Sequence, residues 1–386
     1  MKRYCYFFLA GLFLLPSICS AQSRDWLEIT PADLAIKEVP GEPGALAIQL
    51  YYADYHDDNS ATQFFYHRIK ILTDAGRKYA NVEIPIEPLF HFIDLKARTI
   101  HPDGSIVEFT GKPFEKTIVK TGNIKFVAET FTMPDVTVGS IIEYKYRYEW
   151  GRYAIDREWS VQHDLFTLKE RFSMKGYSGG LVTKNSRYGE DTRLSYVVYG
   201  NVTPPTRGKG GAIELELENV PAFKAEEYAP PAGNLKPIVR FFYGGNEVKS
   251  PEAFWRDYGR DWYDQSEHFI GNRDSIRNAA AQAVAGESDP EKKLRKLYDL
   301  AQKTRNLSFE RERTQQEEKK EELKPNENAG DVLDRGYGTH NDIARLFIAL
   351  ARAAGFEAQI VRAPNHTLFF FKPKYLSVRQ LSSEIA

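Results

Sequence analysis

The sequence predicts an all-β sandwich followed by an α+β domain. Three observations lead there. From Trp26 to about Tyr243 apolar residues recur with period two. Past about Gly245 the period becomes helical. The two cysteines of the 386-residue chain, Cys5 and Cys19, both lie at the amino terminus, so the remainder must build its core without disulfides.

The first element is a leader. Lys2 and Arg3 precede an apolar stretch from Tyr6 to Leu15, Pro16 ends it, and Cys19-Ser20-Ala21 offers small residues before a cut at Gln22. This is the layout of a signal peptide over residues 1–21, and it predicts an exported protein, periplasmic, envelope-associated or secreted. The stretch is shorter than the ~20 residues of a spanning helix, and no later apolar run reaches that length. After cleavage 50 Lys+Arg face 53 Asp+Glu, a formal charge of −3. So balanced a surface argues against a nucleic-acid binder held by phosphate contacts. With 24 Phe and 22 Tyr the chain can bury a large core, which excludes wholesale disorder.

Residues 22–245 carry the strand pattern. Val82, Ile84 and Ile86 alternate with polar or turn-forming residues, and Ile213, Leu215 and Leu217 alternate with three glutamates. Ile142, Tyr144, Tyr146, Tyr148 and Trp150 alternate with Glu143, Lys145, Arg147 and Glu149. One apolar and one charged face predicts half-buried antiparallel strands. Asp74-Ala75-Gly76, His101-Pro102-Asp103-Gly104 and Arg207-Gly208-Lys209-Gly210-Gly211 supply the turns. The last of these lacks the spacing of a phosphate-binding loop. Ile238 to Tyr243 reads as a final strand.

Residues 246–386 carry the helices. Ser250-Pro251-Glu252 and Asp289-Pro290-Glu291 each place a capping side chain before a proline at the first helical position. A third helix runs from His340 to Ala354, with Ile343, Leu346, Phe347, Leu350 and Ala351 inward and Gly355 at its stop. Thr339 and Asp342 stand at the spacing of a capping box. Glu357 to Arg362 reads as a strand. Gln315 to Glu322 is a mixed run of charges, a solvated face or loop.

Two constellations could carry chemistry. Asp54, His56, Asp57 and Asp58 crowd into one short segment. Such a cluster can hold a cation, but Asp, Asn and Ser also favour an exposed hairpin tip, and no metal or other cofactor is expected. The second is Arg335 to Ala358, in which Gly336 and Gly338 allow a tight entry into the third helix.

That segment resembles the core motif of the transglutaminase-like superfamily, the papain-like cysteine fold, through Gly338, Asp342, Ala344, Leu346, Phe347, Leu350, Arg352, Gly355, Phe356 and Ala358. The upstream region is similar to the DUF3857 domain in Leu95–Phe109, Phe131–Tyr146 and Val220–Pro231. The resemblance implies a cysteine nucleophile at the start of the third helix and a partner histidine on a later strand. Here the nucleophile position holds His340. A helix N-terminus favours a thiolate but disfavours an imidazolium, so His340 is no substitute nucleophile for acyl transfer. Leu381 to Ile385 is the nearest counterpart of the histidine strand, which puts Glu384 in the histidine's place. His366, the only later histidine, comes too early. The chain stops at Ala386, before the strand that the resemblance expects to carry an Asp, so the transglutaminase-like domain is expected to be incomplete.

Three functions follow as alternatives. One is a catalytically degenerate core that binds or scaffolds an envelope protein or glycan. Another is a hydrolase or transferase using His340, Asp342 and Glu384 in non-thiol chemistry. The third is a structural partner protein with its ligand site on the sandwich.

Overall fold

The computed structural model describes residues 26–86, 90–121, 124–151, 157–178, 192–245, 250–310, 323–367 and 369–386. The leader and the charged run Gln315–Glu322 lie outside these residues. The chain divides into two compact units, 1–36 and 37–386. In the first, Thr30 and Asp33 close a capping box on a one-turn helix, α1 (Pro31–Ala35). No described helix is long and apolar enough to cross a membrane.

The second unit begins with the strands β1 (Ala47–Asp57), β2 (Thr62–Ile71), β3 (Asn81–Ile86), β4 (Phe90–Ile100), β5 (Ile106–Glu108), β6 (Phe114–Thr121) and β7 (Ile124–Thr132). There follow β8 (Ile141–Trp150), β9 (Arg157–Ser160), β10 (Thr167–Lys175), β11 (Thr192–Tyr199), β12 (Thr206–Arg207), β13 (Ile213–Val220), the turn of helix α2 (Ala232–Leu235) and β14 (Ile238–Gly245). Eight of these strands form one sheet in the order β12-β13-β10-β1-β2-β8-β4-β5. Two three-stranded sheets, β3-β7-β6 and β11-β14-β9, pack on it. Residues two apart share a face of a strand, so Phe65, Ile69 and Ile71 of β2 line up with Ile142, Tyr144 and Tyr146 of β8. Val82, Ile84 and Phe131 close over that group, while Trp159, Val239 and Phe241 close over Tyr52, Phe172 and Leu215.

Two expectations for this region are corrected. The sheets are not wholly antiparallel, because β1 pairs with β10 in parallel. Alternation reports which face is covered and carries no information on strand direction. Nor is the charged face of β8 solvated throughout. Register sets Glu143 opposite Arg68 of β2 and Arg98 of β4. Its carboxylate, 0 % exposed, accepts from Arg68 Nε at 2.6 Å, from Arg98 Nε at 2.7 Å and from the Tyr66 hydroxyl at 2.5 Å. Lys145 is buried too, whereas Arg147 and Glu149 stay partly exposed.

The change to helices falls between Gly245 and Pro251. Helix α3 (Pro251–Ile270) starts with Ser250 Oγ accepting the Ala253 N–H, and Asp289 caps α5 (Pro290–Gln302) in the same way. Between them lies α4 (Asp274–Ala283), and α6 (Ala329–Arg335) precedes α7 (His340–Ala353). Helix α7 is the hub. Leu346, Ile348, Ala349 and Leu350 are buried among Ile270 of α3, Ile276 and Ala280 of α4, Leu297 of α5 and Val332 of α6. Phe347 and Ile343 sit only half-buried at the edge of this core. The predicted Glu357–Arg362 strand shrinks to β17 (Val361–Ala363), after the two-residue strands β15 (Arg305–Asn306) and β16 (Tyr337–Gly338), and pairs with β18 (Ser383–Ile385).

The helical region is fastened to the sandwich. The Arg240 guanidinium of β14 lies over the Phe369 and Tyr375 rings, and the Phe370 N–H donates to Asn234 Oδ1 of α2 at 2.8 Å.

Candidate functional site

The start of α7 is set by its sequence. Thr339 is extended, and its Oγ1 accepts the Asp342 N–H at 3.2 Å while Asp342 Oδ2 accepts the Thr339 N–H at 3.0 Å. The predicted capping box is present. A side chain at Gly338 would put its Cβ 2.9 Å from that of Asp342, so only glycine fits there. Gly336 ends α6 at φ 68°, a left-handed conformation that glycine adopts without strain. Replacing Thr339 by Ala should cost about 1 kcal/mol, because the cap is lost from the helix that organises the core. A denaturation midpoint unchanged from wild type would contradict this.

His340 is the first residue of α7 and is exposed. Its backbone N–H donates to Ser308 Oγ at 3.0 Å, and its Nδ1 lies 3.0 Å from the same oxygen. Ser308 reaches it because β15 pairs in parallel with β16, which lays the short turn Leu307–Phe309 beside the start of α7. Asn306 Oδ1 accepts the Ser308 N–H at 3.1 Å and fixes that turn.

Glu384 is elsewhere. It is 8 % exposed, opposite Arg362 in the β17–β18 pair. Arg345 of α7 grips both of its oxygens, Nε at 2.9 Å and Nη2 at 2.8 Å, and Trp262 Nε1 donates to it at 3.1 Å. Five residues past His340, Arg345 points about 140° away around the helix axis. Among the described residues no hydrogen bond or ion pair joins Glu384 to His340. The three sequence candidates therefore do not converge: His340 faces Ser308, Asp342 is consumed by the cap, and Glu384 is held in a bidentate ion pair. His366 is exposed in a loop.

Arg352 explains its own place in the motif. It forks onto Glu267 of α3 at 2.6 and 2.9 Å and donates through Nε to the Ala358 carbonyl at 2.8 Å, closing the end of α7.

The acidic segment of β1 also differs from an exposed tip. Asp54, His56 and Asp58 are buried, and in this stretch only the turn residues Asn59 and Ser60 are exposed. His56 Nε2 is 2.8 Å from Asp58 Oδ1, the Tyr243 hydroxyl donates to Asp58, and Gln63 Nε2 donates to Asp54 at 2.8 Å. Burial lifts the Asp54 carboxyl to about 7 despite the Gln63 hydrogen bond and the nearby Arg157. Burial likewise depresses His56, and takes His67 down to about 3. Among the described residues no group of three or more His, Cys, Asp or Glu is placed to hold a metal ion.

The pairings of Ser308 with His340 and of Arg345 and Trp262 with Glu384 could not be read from the sequence. Ser308 is 32 residues from His340, and Arg345 is 39 from Glu384. No local pattern joins residues so far apart.

Comparison with known proteins fits this architecture. Residues 57–224 match the model of DUF3857, a domain of unknown function, and residues 277–374 match the transglutaminase-like superfamily. His340 lies inside the second match and Glu384 beyond it. The fold is similar to that of a Parabacteroides distasonis ATCC 8503 protein named as a candidate protease, at TM-score 0.53 and 15 % identity. That similarity covers 88 % of this chain and 64 % of the other, so the chain spans under two thirds of that protein. Yeast LTA4 hydrolase (7 % identity, 58 % of this chain and 36 % of that one) has a TM-score of 0.25. Legionella pneumophila aminopeptidase A (6 % identity, 65 % of this chain and 29 % of that one) has the same score. Neither carries an argument. No curated protein matches the chain. The chain therefore joins a DUF3857 domain to a C-terminal domain of the transglutaminase-like superfamily.

Proposed function

We propose that this is an exported protein whose transglutaminase-like domain performs no thiol chemistry and serves as a binding or scaffolding module at the cell envelope, toward a protein or a glycan. The observation that carries the reading is the start of α7. The position at which the family resemblance expects a cysteine holds His340, and residues 22–386 contain no cysteine. The Arg345 clamp on Glu384 supports it, since that carboxylate is committed to structure. Domain limits near residues 22–245 and 246–386, after removal of 1–21, belong to the same reading.

The test compares the wild type with His340→Ala on peptide and amine-transfer substrates. Both should stay at background. Wild-type turnover of these substrates that disappears in His340→Ala would overturn the reading. For export, intact mass of the protein secreted by its native host should match a chain beginning at Gln22, and one beginning at Met1 would refute it.

A further inference from the structure

We propose that Ser308 and His340 form a hydroxyl–imidazole dyad able to take an acyl group from a small activated ester. This goes beyond the binding reading and involves no sulfur. Ser308 Oγ accepts the His340 backbone N–H and lies 3.0 Å from Nδ1, and the dyad uses the tautomer in which the hydroxyl donates to Nδ1. That assignment places the ring proton on Nε2. A nucleophile and its base are then within hydrogen-bond reach, and a backbone donor of the same residue aligns them.

The surroundings suit an acyl carbonyl. Of the first-turn N–H groups of α7, that of His340 goes to Ser308 and that of Asp342 to Thr339. Among the described residues the Asn341 N–H is left over, next in the chain to His340, at the positive end of a 14-residue helix. Such a donor can stabilise an oxyanion, whose negative charge offsets the cost of an imidazolium at the same helix end. The Asn341 Oδ1 atom is buried without a partner among the described residues. Next to the serine, Phe309 is 78 % exposed and offers an apolar surface for the acyl group.

In the step, Ser308 Oγ bonds to the carbonyl carbon, its proton passes to His340 Nδ1, and the carbonyl electron pair moves to oxygen. Collapse of that oxyanion breaks the bond to the leaving group, which takes the proton from Nδ1. Water then attacks the acyl-serine by the same route, releasing the acid and restoring the hydroxyl.

The experiment uses 4-nitrophenyl acetate as substrate and a fluorophosphonate as covalent probe on the full chain. The expected results are a phosphonylated Ser308 by peptide mass mapping, no label at that peptide in Ser308→Ala, and labelling and hydrolysis slowed on the order of 10²-fold in His340→Ala. Circular dichroism confirms that each variant is folded. An unlabelled Ser308 in folded wild type would overturn the dyad, as would label at Ser308 that arrives equally fast without His340. Ester hydrolysis that survives Ser308→Ala would assign the activity to another group and also overturn it.

Discussion

The variant Glu143→Ala should lose about 3–5 kcal/mol of stability, the usual consequence of removing one partner from a buried ion pair. Glu143 is fully buried in β8 and stands between Arg68 and Arg98 on the two neighbouring strands. It receives both guanidinium groups and the Tyr66 hydroxyl. Removing the carboxylate leaves two guanidinium groups without this counter-charge in the centre of an eight-stranded sheet. Glu143→Gln should fall between wild type and Ala, since it keeps an acceptor but not the charge. Urea denaturation measures both. A loss under about 1 kcal/mol for the Ala variant would match an exposed pair instead, and would contradict the buried network.

The variant Asp54→Asn should be more stable than wild type at pH 8 and nearly equal to it at pH 4. The sign follows from the direction of the shift. The folded carboxyl titrates at about 7, above its ordinary value of 3.8, because burial penalises its charge. Its contribution is fully favourable below the unfolded value and is lost as pH rises to the folded one. The difference amounts to on the order of 4 kcal/mol above pH 7, at about 1.4 kcal/mol per pH unit of separation. Asparagine keeps an acceptor for Gln63 and cannot ionise. His67 acts oppositely: with a folded value of about 3 against 6.5, its contribution is present above 6.5 and is lost as pH falls toward 3. In wild type these two opposite dependences largely cancel across the range they share, whereas the variant should keep only the His67 rise and so pull ahead of wild type as pH increases from 4 to 7. Parallel pH–stability curves for the two proteins would contradict the assignment.

How much of this was legible in the sequence differs by element. Period two placed β3, β8 and β13 because each turns an apolar face to the core. It said nothing of the parallel β1–β10 pair, whose direction is decided by the path of the chain between them. It also read Glu143 and Lys145 as the open, charged face of a half-buried strand, since burial on that side depends on neighbours from other strands. Helices with proline after an Asp or Ser cap were readable. Helix α4 was not, because its cap residue Arg273 makes no side-chain cap bond, and the short α6 starts from Asn328 with no proline behind it. At the site, the Thr339–Asp342 box is a local signal and was found. The contacts that decide the chemistry, Ser308 with His340 and Arg345 with Glu384, join distant segments and appear only once the chain is folded.

The central claim is that α7 presents His340 without a thiol enzyme's machinery, with Glu384 committed to Arg345. Its most direct test is turnover of peptide and amine-transfer substrates by His340→Cys and by His340→Cys/Glu384→His. The expected result is an introduced thiol that iodoacetamide alkylates, while neither protein turns over substrate. A complete catalytic set is typically worth on the order of 10⁶ in kcat, so success would be unmistakable. Turnover by the double variant and not by the single one would set position 384 against position 340 and contradict the claim.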